Sequence, residues 1–493
     1  MSIDLSLDRI HTLLRYFPYT RPTVHIAGTN GKGSVSSFVS SILLAASISV
    51  GKFNSPHLVS IVDSITVDGQ SVSDDVYGSA RASVEAVNEK YSIEASNFEV
   101  LTCTALTIFE RTKVDIVVLE AGMGGRLDAT NAIPDTCVLV SALTAVDLDH
   151  QAFLGSTIGQ ISREKAGIAR KGKTFVLGPQ KHDEVGLVVK QVVGDVGAYL
   201  VTAVAARTRA WNTVVDGPQP PVFSLDSLHG ADEEFQGPPY QPVEFIMTCF
   251  EQPVLSQLPL FGSHQLDNLG TAATIIDTLI VHPCAQRLSL RNKLTSNLVS
   301  RGIRATVWPG RLSFHTIPRR LLPVEDRPVW GTNPKLVVLA DGAHNPASAS
   351  TLATYISQLV RTKGADSSVY LTYILALSHS PPKTPLQTLS PLFSLSPPVN
   401  TQIHYSAAVT RFSPVAGMPW VQSVPPSTLA QVIKDLAPDA DVWSPPDGQD
   451  STQELKQALR WVSQKRHPQA AFVVLAGSLY LVADLYRLLK ENI

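Results

Sequence analysis

The chain has 493 residues, too many for one hydrophobic core, and reads as two domains. With 44% hydrophobic and 17% charged residues it has the composition of a globular protein with sizeable cores. A formal net charge of −2 and the lack of a long basic run argue against a nucleic-acid partner, whose phosphate backbone requires clustered Lys and Arg.

The opening "MSIDLSLDRI" carries two aspartates and no apolar core segment, unlike a signal peptide or an Arg-rich transit peptide. No apolar run reaches the roughly 18 residues of a membrane span. The expected location is the cytoplasm, with a mitochondrial pool as the alternative. Cys103, Cys137, Cys249 and Cys284 form no C-x-x-C pair, which argues against zinc and a disulfide framework and suits a reducing compartment.

"TVHIA" at residues 23–27 is a short β-branched run and predicts a buried strand. "GTNGKGS" follows at 28–34, and then Val35, Phe38, Val39, Ile42, Leu43 and Ala46 recur at helix spacing. Strand, glycine loop and helix form the context of a phosphate site. The loop departs from G-x-x-x-x-G-K-[ST]: Ile26 replaces the first glycine, and Gly33 separates Lys32 from Ser34. Backbone amides of Gly28, Thr29, Asn30, Gly31 and Gly33 can still wrap phosphate oxygens, with Lys32 as a mobile charge and Ser34 as an oxygen for Mg²⁺. The competing reading is a tight turn whose glycines only permit positive φ.

"DIVVLE" at 115–120 predicts a strand ending in Glu120, where a doubly wound sheet places its ligands. "AGMGGRLDATN" continues it with a glycine-rich loop carrying Arg126 and Asp128, which also suits an ordinary surface turn. "TCVLVSALT" at 136–144 predicts another strand, followed by His150, a residue type more often structural than ligating. A helix is expected over 158–168, with Lys165 as a solvated helix lysine on spacing alone. Residues 205–242, with "DGPQPP" and "ADEEFQGPPYQP", read as a proline-rich surface insertion.

Residues 301–327 look irregular, and we expect a hinge over 304–330, with Arg311 of "PGR" able to reach a phosphate on domain closure. Strands are expected at 336–340, 368–377 and 471–476, and helices at 346–359 and 479–489. Pro346 suits a first helical turn. "DGAHN" places Asp341 and His344 between strand and helix, either as ribose and carboxylate or phosphate contacts or as an ordinary capped turn. The Ser/Pro-rich run at 378–398 reads as loop or short helix. The alternation predicts an α/β fold: an N-terminal ATPase-type domain with a mainly parallel doubly wound sheet over 1–303, and a smaller Rossmann-like domain over 331–493.

"HIAGTNGKGSV", "FNSPHL", "EAGMGGRLDATN", "DLDHQAFLGSTIGQISREKAGI", "GSHQLDN", "PGR" and "DGAHN" occur in this order across nearly the whole chain. Together they resemble the folylpolyglutamate synthase and dihydrofolate synthase family, relatives of the Mur ligases. In that family the phosphate loop itself carries Gly-Lys-Gly-Ser, so Gly33 is expected. The resemblance implies ATP and Mg²⁺ as cofactors, with Gly31, Lys32, Gly33 and Ser34 on the phosphates. It implies Ser34, Ser55, Glu120 and His150 as metal ligands, and Lys165 as the family's carbamylated lysine. It also implies nucleotide contacts from Asn268, Arg311 and Asp341, a pterin contact from Asp128, and His344 near the amino acid or phosphates.

Within the family, "SIDLSLDRI", "GTNGKGSV" and "RFSPVAGMPW" look most like the fungal dihydrofolate synthases. Asn30 stands where eukaryotic folylpolyglutamate synthases usually carry lysine. The implied reaction joins L-glutamate to dihydropteroate, with extension of a folate's glutamate tail as the alternative. A nucleotide-binding switch without ligase activity is the rival from another class. Partners are expected to be small molecules, with no membrane and a monomeric chain. Met123, where the family more often has Leu or Ile, conserves an apolar side chain.

Overall fold

The computed structural model describes residues 6–228, 235–283, 287–322, 336–415, 418, 421–446, 450–465 and 471–490. Its strands are β1 Thr23–Ala27, β2 Val50–Phe53, β3 Ile65–Val67, β4 Gln70–Ser71, β5 Ile116–Glu120, β6 Val138–Leu143, β7 Thr174–Leu177, β8 Tyr199–Thr202, β9 Arg207–Thr208, β10 Gln241–Phe245 and β11 Val254–Leu258. They continue with β12 Ser313–Ile317, β13 Leu336–Ala340, β14 Ser368–Leu375, β15 Gln402–Val409, β16 Asp441–Trp443 and β17 Ala471–Ala476. Two compact units result: Met1–Gln219 with Tyr240–Trp308, and Pro220–Pro239 with Pro309–Ile493.

In the first unit the strands run β4-β3-β2-β5-β1-β6-β7-β8. From β2 to β8 the pairing is parallel, and β3 and β4 add an antiparallel edge. β1 is central and wholly buried, flanked by β5 and β6. Its Val24 and Ile26 face the helix Lys32–Ala45, whose Val35, Phe38, Val39, Ile42 and Leu43 share that core. On the opposite face the helix Asn97–Thr112 packs Leu101, Ala105 and Phe109 against Val117 and Leu119 of β5. Helices on both faces explain why these strands read as continuous apolar runs rather than alternating ones. β9, β10 and β11 form a smaller antiparallel sheet beside this core.

The second unit holds one sheet in the order β12-β13-β17-β14-β15-β16, parallel except for β12. The helix Pro346–Arg361 starts as its sequence predicts: Pro346 lies in the first turn, and Asn345 accepts a bond from Ser348 N at 2.9 Å. The Ser/Pro-rich run contains the helix Pro385–Phe393.

Two readings of irregular sequence change. Part of the expected hinge is ordered: Arg304 ends the helix Ser296–Arg304, and β12 pairs antiparallel with β13. A five-residue edge strand bounded by Pro-Gly and Pro lacks the long apolar pattern that would announce it. Residues 323–330 of that hinge lie outside the described residues. The proline-rich stretch is divided, because residues 220–228 and 235–239 pack with the second unit. There Leu225 N donates to Thr362 Oγ1 at 3.1 Å, and Asp226 pairs with Lys363 at 2.6 Å. β9, the turn Thr213–Asp216 and the start of β10 account for the rest of it. Among the described residues no helix is long and apolar enough to cross a membrane.

"RFSPVAGMPW" begins with a structural pin. Glu454, fully buried in the helix Ser451–Gln464, accepts Arg411 N at 2.7 Å and Arg411 Nε at 2.8 Å. Truncation would leave the half-buried guanidinium without its counter-charge. We expect Glu454→Ala to destabilise the second unit by about 3 kcal/mol, read as a lower urea midpoint at unchanged slope.

Candidate active site

β1 ends at Ala27, and the chain turns through residues 28–34 into the helix Lys32–Ala45. This loop is pinned to the segment after β6. Thr29 N and Asn30 N both donate to Ala145 O, at 2.9 and 3.1 Å, and Thr144 Oγ1 donates to Asn30 O at 2.8 Å. Thr29 Oγ1 accepts from Asp147 N at 3.1 Å. Gly31 caps the helix at φ +93°, and a Cβ there would stand 2.2 Å from Asn268 Oδ1. A Cβ on Gly33 would stand 2.1 Å from the Trp308 ring. So the two glycines meet different demands, a left-handed turn and a close approach. No side chain caps the first helical turn, which leaves its amides and the dipole's positive end for an anion.

Lys32 folds back over its own loop. Its Nζ donates to Gly28 O at 3.2 Å and Thr29 O at 3.4 Å, and lies 3.8 Å from Glu120 Oε1. Glu120, at the end of β5, is 5% exposed. Asn54 Nδ2 donates to its Oε2 at 2.5 Å and to Ser36 Oγ at 2.7 Å. Lys52 Nζ donates to Ser37 Oγ at 3.3 Å and lies 4.9 Å from the centre of the Trp308 ring. Burial pushes the Lys52 amine down to about 8, against the pull of Glu120. Ser34 Oγ accepts from Gln265 Nε2 at 3.3 Å, and Gln265 Oε1 accepts from Asn268 Nδ2 at 2.9 Å.

Lys165 is not the solvated helix lysine that its spacing suggested. The helix Ile158–Ala166 carries it inward to 2% exposure, and its Nζ donates to Gly28 O at 2.9 Å. Burial, and then the charge of Lys32, push its amine down to about 7, while Asp149 and Asp128 oppose the shift. The same helix holds the glycine-rich loop after β5. Arg126 N donates to Glu164 O at 2.8 Å, and the exposed Arg126 guanidinium pairs with the Glu164 carboxylate at 2.9 Å. Asp128 lies beneath this loop, and its carboxylate accepts Met123 N at 2.7 Å and Thr130 N at 3.0 Å. Burial raises the Asp128 pKa, opposed by those bonds.

Gly28, Lys32, Ser34, Glu120, Lys165 and Asn268 are thus joined by hydrogen bonds, charge pairs or close approach at one end of the first sheet. Ser55 is half-buried just after β2, and His150 is exposed at φ +50°, capping the turn Gln151–Leu154. Arg311, Asp341 and His344 belong to the second unit. Asp341 there accepts Leu312 N and Ala343 N, each at 2.8 Å, and burial raises its pKa against the Arg311 charge. His344 Nδ1 lies 2.9 Å from Gly342 O, a carbonyl that can only accept, so this nitrogen carries the proton. Asn54, Lys52, Gln265 and Trp308 were not singled out in the sequence. Asn54 and Gln265 lie within the quoted motifs and Lys52 and Trp308 adjoin them, but position in the fold alone reveals their partners.

A divalent ion fits this donor set in one respect. Mg²⁺ takes one or two carboxylates and completes its shell with phosphate oxygens and water. Glu120 and Ser34 offer a carboxylate and a hydroxyl beside the uncapped amides of the helix N-terminus. Among the described residues no group of three or more His, Cys, Asp or Glu could hold a metal, so retention would depend on a bound polyphosphate.

A family model described as "Dihydrofolate synthetase, C-terminal domain" matches residues 330–488. Across its entire length the chain is 32% identical to the dihydrofolate synthetase of Saccharomyces cerevisiae, over 496 residues and 100% of both proteins. The chain belongs to the dihydrofolate synthase and folylpolyglutamate synthase family. The probable dihydrofolate synthetase of Schizosaccharomyces pombe is 30% identical, again over 100% of both proteins. Among solved structures, Escherichia coli FolC in complex with DHPP and ADP aligns with a TM-score of 0.67 at 24% identity, covering 100% of this chain and 95% of that one. Mycobacterium tuberculosis folylpolyglutamate synthase complexed with ADP aligns at 0.68 and 23%, covering 99% and 95%. At such identities these structures speak to the fold, and the fold is the one the family resemblance implied.

His25 on β1 yields a pH dependence of stability. It is fully buried, and burial, with Arg170 adding to it, depresses its pKa from 6.5 to about 3. Between those values the unfolded chain binds the proton and the native chain does not, so stability rises with pH from about 3 to 6.5 and is lost as pH falls. We expect the urea midpoint to fall with acid across this window, and to fall less steeply in His25→Gln.

Proposed function

We propose that this chain is an ATP-dependent ligase that joins L-glutamate to dihydropteroate, giving dihydrofolate, ADP and phosphate. The observation that carries this reading is the convergence of an uncapped helix N-terminus, the Lys32 amine and the buried Glu120 carboxylate at the ends of β1 and β5. It occurs in a chain that matches a dihydrofolate synthetase end to end.

A carboxylate is a poor electrophile because its charge repels an incoming amine. Transfer of the ATP γ-phosphoryl group to the pteroate carboxylate gives an acyl phosphate, whose carbonyl has a good leaving group. The glutamate amine then attacks, loses a proton, and expels phosphate. The amides of residues 28–34 and Lys32 offset the charge on the phosphate oxygens during transfer. Magnesium, held by Glu120 and Ser34 with Ser55 and His150 as further donors, would neutralise phosphate charge. Asn268 in the first unit and Arg311 and Asp341 in the second are the proposed nucleotide contacts. Arg126 and Asp128 are assigned to the pterin side, and His344 to the amino acid or phosphates.

Lys165 is suited to carbamylation by its environment. An amine reacts with CO₂ only when neutral, and a pKa near 7 leaves a large neutral fraction at physiological pH. The carbamate forms with release of one proton and presents oxygens where an ammonium would repel a cation. In this reading small molecules are the partners, and the enzyme acts as a cytoplasmic monomer.

The bacterial dihydrofolate synthase/folylpolyglutamate synthase of Escherichia coli is 36% identical over 240 residues, which keeps tail extension as the second reading. One assay separates the two: ATP, Mg²⁺ and glutamate are supplied with either dihydropteroate or a monoglutamyl folate, and mass spectrometry identifies the acid that gains one residue. Dihydropteroate is the expected acceptor, and conversion of the folate alone would reverse the assignment. Lys32→Ala should lower kcat by about 10²-fold or more while dihydropteroate binding persists. Intact mass in bicarbonate should show one added carboxyl group, absent from Lys165→Met.

A further inference from the structure

Behind the glycine-rich loop, on the strand that leads into Gly28, lies a buried histidine that the proposed chemistry does not use. His25 is 0% exposed, and its Nε2 is 2.8 Å from Thr130 Oγ1. That hydroxyl lies 2.5 Å from Asp128 Oδ1 and donates to it, since the same carboxylate already accepts Thr130 N and Met123 N. A hydroxyl has one proton. Having given it to Asp128, Thr130 must accept from His25, so the imidazole carries its proton on Nε2. Nδ1 has no hydrogen-bond partner among the described residues, which costs less as a bare lone pair than as a buried N–H.

We infer that His25 is a positioning residue: through Thr130 it fixes Asp128, and with it the loop that meets the pterin acid. The chain of bonds runs one way, from His25 Nε2–H to Thr130 Oγ1–H to the Asp128 carboxylate. Asp128 in turn holds Met123 N, and the loop beyond it packs on the Lys165 helix: a Cβ on Gly125 would lie 2.6 Å from Lys165 O, and Arg126 N is bonded to Glu164 O. Lys165 returns to Gly28, the first residue after the strand that carries His25. The relay therefore closes a circuit of β1, the glycine-rich loop and the Lys165 helix. An apolar side chain at position 25 would fill the space and leave Thr130 free to turn its hydroxyl elsewhere. The substrate part of this inference rests on the ligase reading, whereas the tautomer does not.

Selective ¹⁵N labelling of the histidines in the full-length protein tests the relay directly. A neutral His25 with the proton on Nε2 is expected, and an Nδ1–H tautomer would overturn the inference even in an active ligase. Steady-state kinetics and dihydropteroate titrations on His25→Leu, His25→Gln and Thr130→Val test the consequence. In the Leu and Val variants the KM and Kd for dihydropteroate should rise about tenfold, with the KM for ATP changed less than about twofold. His25→Gln keeps an N–H donor and should recover most of the affinity. The double variant His25→Leu/Thr130→Val should be no weaker than Thr130→Val alone, because both remove one relay.

Parallel rises in both KM values, additive losses, or a Gln variant no better than Leu would each overturn the positioning role. Should His25→Leu fail to fold, Thr130→Val decides, since it leaves the backbone bond to Asp128 in place. An Nε2–H tautomer in protein that binds and converts no pterin acid would overturn the ligase reading, and with it the substrate part.

Discussion

The bond from the buried Lys165 amine to the Gly28 carbonyl is the constraint on which the site depends. It joins residues 137 apart in sequence and brings a helix from beyond β6 onto the loop that leaves β1. Without it, the backbone at the start of the glycine-rich loop would still be tied to the segment after β6, through Thr29, Asn30 and Thr144. With an apolar side chain at 165 the Gly28 carbonyl would keep the longer 3.2 Å bond from Lys32 Nζ and lose the 2.9 Å bond that the Lys165 amine makes. The amine makes that bond at the expense of its own basicity, a cost the site turns to use if the lysine reacts with CO₂.

Electrostatics follow from the same crowding. Lys32, Lys52 and Lys165 gather around a site in which Glu120 is the carboxylate nearest to Lys32. Two of the three amines are pushed down, one to about 8 and one to about 7, because burial withholds the water that would solvate their charge. A polyphosphate would reverse the balance by supplying negative charge beside Lys32 and the helix N-terminus. Asn54 prepares for that exchange by holding one oxygen of Glu120 and leaving the other toward Lys32.

The second unit uses the same grammar with different chemistry. β13 ends at Ala340, and the Asp341 carboxylate after it closes the "DGAHN" turn through Ala343 N and ties it to Leu312 N, before Asn345 starts the next helix. A motif that resembles a ligand contact is thus also an ordinary capped turn. The two readings are compatible, because organising the turn is what orients His344 and fixes the proton on its Nδ1. Arg411 and Glu454 show another case, in which a motif residue is bonded to a buried carboxylate on a neighbouring helix.

Much of the fold was legible in the sequence because its signals are local. The buried strands Thr23–Ala27, Leu336–Ala340 and Ala471–Ala476 are apolar runs wherever they are met, and the glycine-lysine-serine loop is marked by its place between strand and helix, although Ile26 and Gly33 break the usual phosphate-loop spacing. The order of seven motifs implied the family, and with it Lys165 and Glu120 as site residues. Edge strand β12 and the sharing of the proline-rich stretch between two units were not legible, because pairing partners and not composition decide them. Nor were Asn54 beside Glu120, 66 residues away, or His25 behind Thr130, 105 residues away. Hydrophobic periodicity is a property of neighbours in sequence. A hydrogen bond between distant segments exists only once the sheet has set their register, so the sequence determined the elements and the glycine-rich loop after β1, and the tertiary structure decided which side chains that loop would meet.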